Sequence, residues 1–83
     1  MNTRFVVLKM EKNERFNQIE VTIMFEEKLY VYQVGYGGWL GGIKIPSELE
    51  KIATAPVERG RKFINLVFQF LEGKVIDFPV DIT

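Results

Sequence analysis

The chain has 83 residues, with 11 basic and 11 acidic side chains and neither cysteine nor histidine. That length accommodates one domain, residues 1–83. The composition excludes disulfides, thiolate metal sites and any Ser-His-Asp or Cys-His catalytic arrangement. The balanced charge also speaks against a dedicated duplex-DNA binder.

No run of about 18 apolar residues suggests a membrane span, and residues 1–10 alternate rather than forming a signal-peptide core. The expected location is the cytoplasm, or the host cytoplasm if the gene is viral. A body this small buries roughly 60–65% of its unfolded surface. With disulfides and histidine metal sites removed, oligomerisation is the remaining device for strengthening it.

The first predicted element is a strand over Arg4–Met10, rich in β-branched and aromatic residues. Glu11–Asn17 is polar, with one phenylalanine, and reads as a loop. Next, Ile19, Val21, Ile23 and Phe25 alternate with Glu20, Thr22 and Met24, the period-two pattern of a strand with one buried face. Glu26-Glu27-Lys28 suits a hairpin turn but lacks the Asn-Gly or Asp-Gly signature, so its turn type stays open.

From Leu29 to Tyr36 both faces are apolar: Tyr30, Tyr32, Val34 and Tyr36 on one, Leu29, Val31 and Gln33 on the other. That pattern predicts a central strand. A short fourth strand over 42–45 ends before Pro46.

Ser47-Glu48-Leu49-Glu50 has the Ser-x-x-Glu form of a capping box and predicts a helix starting at Ser47. Pro56 suits the start of a second helix, expected over 56–72 and closed by Gly73 just past its end. Residues 63, 64, 67, 68 and 71 form its expected buried face. Leu66 and Phe70 are then an apolar excess and the candidates for a self-association surface. Lys74–Val80 reads as a last strand, and Pro79 places it at an edge. The fold class is therefore α+β: an antiparallel sheet of three to four strands, two helices on one face and a C-terminal edge strand.

Five of the seven glycines fall within Gly35–Gly42, the sequence Gly-Tyr-Gly-Gly-Trp-Leu-Gly-Gly. The segment does not match a nucleotide-binding loop, which needs Gly-x-x-x-x-Gly-Lys-Ser/Thr or a helix directly after it. Its plain reading is a bulged hairpin connection. Its functional reading is a contact loop, with Tyr36, Trp39 and Leu40 as anchors and Gly37, Gly38, Gly41 and Gly42 allowing close approach.

A second constellation is a stacking platform of Tyr30, Tyr32 and Trp39 with Lys44 nearby, set against the plainer reading of those tyrosines as core. Arg59, Arg61 and Lys62 form the densest basic cluster. They lie near a helix N-terminus, where an acidic partner or a phosphate would relieve the conflict with the helix dipole. Ser47 is accounted for as a cap. The carboxylate pairs Glu26/Glu27, Glu48/Glu50 and Asp77/Asp81 fit a turn, a helix start and a tail, so neither a catalytic residue nor a metal or cofactor is expected.

The function these features favour is a small non-enzymatic regulator or inhibitor that binds another protein and itself as a homodimer. The competing reading is a single-stranded nucleic-acid binder using the sheet aromatics and lysines.

Overall fold

The computed structural model describes residues 4–37, 42–54 and 56–83. Strands β1 (Phe5–Asn13), β2 (Gln18–Phe25), β3 (Lys28–Gly37) and β4 (Gly42–Lys44) run in succession. Helices α1 (Ser47–Ala53) and α2 (Val57–Leu71) follow, and β5 (Val80–Asp81) comes last. All pairings are antiparallel and the sheet order is β4-β3-β2-β1-β5. The fold is α+β as expected, but with five strands rather than three to four.

Alternation in β2 builds the inner face. Ile19, Val21 and Ile23 are fully buried, and their ladder partners Val34, Tyr32 and Tyr30 on β3 share that face. On β1 the register shifts between Val7 and Lys9, so Leu8 is an extra residue on that strand. This bulge reverses which face the later residues take. Phe5 and Val7 before it and Met10 after it therefore all reach the core, which explains why the strand shows no clean alternation. β1 also continues through Glu11–Asn13, read above as loop, because ladder hydrogen bonds come from the backbone and tolerate polar side chains.

The helices cover one face only. Leu49 and Ala53 of α1 and Phe63, Leu66 and Val67 of α2 complete the core. The uncovered face of β3 leaves Leu29 and Val31 exposed, so its second apolar row reflects no second layer.

The stripe on α2 differs from the expected one. The buried positions are 59, 60, 63, 66 and 67, whereas Phe68 is 46% exposed. Positions 63 and 67 belong to both candidate stripes, so periodicity did not choose between them. Leu66 is thus a core residue of this chain, and the self-association role expected for it is corrected. Phe70 packs half-buried against the same core. The apolar residues of α2 that face solvent are Val57 and Phe68.

Helix ends follow backbone chemistry more than side-chain caps. α1 begins at Ser47, but its N-cap is Pro46 and no side-chain cap bond forms, so the expected capping box is absent. The Glu50 amide instead donates to the Pro46 carbonyl at 2.9 Å. α2 ends as predicted. Gly73 takes φ +80°, its amide donates to the Phe70 carbonyl, and the Lys74 amide donates to the Gln69 carbonyl. The strand expected over Lys74–Val80 shrinks to Val80–Asp81, following a cis Phe78–Pro79 peptide. Proline has no N–H to offer a ladder, and pairing begins only beyond it. The edge placement holds.

Candidate functional site

Two features lie at one end of the sheet. The first is the β1–β2 turn, where the Phe16 amide donates to the Asn13 carbonyl, the Asn17 amide to the Glu14 carbonyl, and Asn17 takes φ 51°. The second is the paired ends of β3 and β4, Gly37 with Gly42 and Gly35 with Lys44. The Tyr36 amide donates to the Asn17 carbonyl at 2.9 Å and fastens the turn to β3.

Between these two features lies a groove of about 260 Å³. Phe16, Asn17 and Gln18 form one wall and Lys44 the other, with Gly35 between them and Tyr36, Gly37 and Gly42 at the end. Gly35 keeps it open: a Cβ there would stand 3.5 Å from Lys44 Cβ.

Charge and aromatic surface coincide at this end. Phe16 is 61% exposed although it lies in a polar turn, and the Arg15 guanidinium sits 5.4 Å from its ring centroid. The Lys12 ammonium lies 5.6 Å from the centroid of Tyr36, whose ring also packs against the core. Such contacts attract because a ring face carries partial negative charge.

The sequence reading missed Phe16, Lys12 and Arg15. The available signal was a lone aromatic between Arg15 and Asn17 with no helical or strand partner to bury it.

The structure brings together Tyr36, Gly37, Gly42 and Lys44 from the predicted residues. Gly38, Trp39, Leu40 and Gly41 lie outside the described residues. Tyr30 and Tyr32 stack on each other, with centroids 6.0 Å apart and planes 12° from parallel, and both pack against the core. Burial pushes the Tyr32 phenol pKa up, with the nearby Glu48 and Tyr30 adding to it. Both rings lie partly buried on the inner face of the sheet, across it from the Gly35–Lys44 face.

Arg59 is not a surface anion contact either. It is 4% exposed, donates from Nη1 to the Ile52 carbonyl at 3.0 Å, and lies over the rings of Phe5 and Phe25 at 5.3 and 5.7 Å. The helix turn that carries it faces the core, so its charge is spent inside the fold.

Arg61 and Lys62 stay exposed but line separate depressions. Arg61 borders the larger one, about 470 Å³, between the end of α1 and the start of α2. Lys62 borders another, against β5. Neither adjoins Lys44, so the basic residues do not form one track.

Among the described residues no group of three or more acidic side chains could hold a metal ion, and no helix is long and apolar enough to cross a membrane. Compared with protein-family models, curated proteins and solved structures, the chain matches none.

Proposed function

We propose that this protein is a non-enzymatic binding module that engages another protein through the groove at the end of the sheet. The observation that carries this reading is Phe16. A large aromatic held 61% exposed beside a side-chain-free Gly35 floor provides an anchor and a place for a partner's backbone to approach. The surrounding ladder fixes that geometry, since Gln18 and Lys44 both pair with Gly35.

Gly35→Val tests the reading. It fills the groove in ordinary van der Waals contact and places a β-branched residue in a strand that favours one. Immobilised wild-type protein should retain partners from a lysate of its source that neither Gly35→Val nor Phe16→Ala retains, while all three unfold at similar urea concentrations. Identical retention by all three would remove the groove from the function.

A further inference from the structure

The groove also specifies the chemistry of its occupant, an inference that rests on the binding role proposed for it. We infer that the partner segment it receives is an extended, acidic stretch of polypeptide.

Among the described residues no carboxylate lines the groove, and Lys44 is its one charged lining residue. Arg15 stands on the Phe16 ring at its rim, and Lys12 on Tyr36 beside it. The ion pairs among the described residues are Arg4–Asp81, Lys9–Glu11 and Lys74–Glu72. Lys12, Arg15 and Lys44 take part in none of them, although the chain carries as many acids as bases. The same holds of Lys28, Lys51, Arg61 and Lys62, so what sets the groove apart is that Lys44 and Arg15 stand beside an exposed aromatic with no carboxylate in its described lining. Lys12 lines a neighbouring depression on the same hairpin together with Glu11, Glu14 and Glu20, which leaves Lys44 and Arg15 as the cations of the groove itself. Glu11 there is already engaged by Lys9 at 2.7 Å. This boundary makes the cationic surface short, suited to a few carboxylates.

Geometry favours polypeptide over single-stranded nucleic acid. Base stacking needs an open ring face. Tyr36 has the core on one side and Lys12 over its ring, which leaves Phe16 as the one open ring among the described lining residues, too little for a run of stacked bases. An extended peptide needs no ring face. It can lie against the Gly35 floor and beside β4, which ends the sheet and has an unpaired outer edge among the described residues. Acidic side chains on that peptide would meet Lys44 and Arg15.

The test is selection from a displayed library of random dodecapeptides on the wild-type protein, with counter-selection on Gly35→Val. Peptides that depend on the open groove should be enriched in Asp and Glu around an apolar residue. A synthesised representative should lose about tenfold or more in affinity on Lys44→Glu, because a like charge then faces its carboxylates. Its affinity should also fall with added salt.

Groove-dependent peptides without acidic excess would overturn the acidic assignment and leave the binding role standing. Recovery of no groove-dependent peptide would overturn both. Binding of a twelve-residue oligothymidylate that is lost on Lys44→Glu would overturn the choice of polypeptide.

Discussion

The Phe5 amide donates to the Thr83 hydroxyl oxygen at 2.9 Å, across 78 positions of chain. Thr83 in turn donates from its amide and its hydroxyl to the Asp81 carboxylate, and the Ile82 amide donates to the Phe5 carbonyl. These bonds seat Ile82 in the core beside the start of β1. Thr83→Val removes the acceptor for the Phe5 amide and should cost about 1 kcal/mol in urea unfolding.

The same tether carries a pH dependence. Hydrogen bonds from Thr83, with a smaller contribution from Arg4, hold the Asp81 carboxyl below its usual range. A depressed native pKa gives stability that is present above the unfolded value, near 3.9, and is lost as pH falls through the native one. Asp81→Asn should therefore be less stable than wild type at neutral pH. The gap should close in acid, as read from urea midpoints across a pH series. A gap that persists unchanged below pH 3 would show that the carboxylate charge is not what the tether uses.

The β2–β3 turn places Glu26 and Glu27 at φ 53° and 63° between the paired residues Phe25 and Lys28. Two consecutive positive φ values define the mirror-image hairpin turn that Asn-Gly suits best. Side chains with a Cβ resist that conformation by roughly 1–2 kcal/mol each. Replacing Glu26-Glu27 by Asn-Gly should raise the unfolding free energy by about 1 kcal/mol. A drop in stability would mean that the two carboxylates hold the turn in some other way.

Gly60 lies in the first turns of α2, where alanine would ordinarily gain about 1 kcal/mol of helix propensity. Here a Cβ would stand 3.2–3.3 Å from Thr54 Cα, Cβ and Cγ2. Thr54 is held in place, because its amide and hydroxyl both donate to the Glu50 carbonyl. Gly60→Ala should therefore destabilise, by about 1 kcal/mol net, through overpacking between the helices. Thermal melts of Gly60→Ala alone and with Thr54→Gly would separate the clash from propensity, since the second change should restore part of the loss.

Arg59→Ala should be the most damaging of the substitutions considered. It removes the guanidinium lying over Phe5 and Phe25 and the donor to the Ile52 carbonyl. A loss of about 2–4 kcal/mol is expected from lost packing and an orphaned acceptor. Arg59→Lys should rescue little, because an ammonium cannot lay a planar face on two rings. Full recovery with lysine would mean that charge, not shape, holds the site.

The core strands were legible because alternation is a local signal. The side chains at 19, 21 and 23 share one face of β2 by backbone geometry alone. The closing glycine of α2 was legible for the same reason, since a left-handed residue after a helix is chosen by its own missing Cβ. Local pattern also allowed the strands and two helices to be ordered along the chain, though with a sheet of three to four strands where the fold has five.

The binding groove was not legible in that way. It exists because the two-residue turn at Glu26-Glu27 sets Gln18 opposite Gly35 and the β3–β4 pairing sets Lys44 on its other side, which brings Phe16 and Lys44, 28 positions apart, to either side of Gly35. The inward turn of Arg59 and Leu66 was decided likewise, by which of two equivalent stripes on α2 met the sheet. Propensity and periodicity act over a few residues. Register, stripe choice and the pairing of distant side chains are settled only when the layers pack, because only then do alternative arrangements differ in buried area.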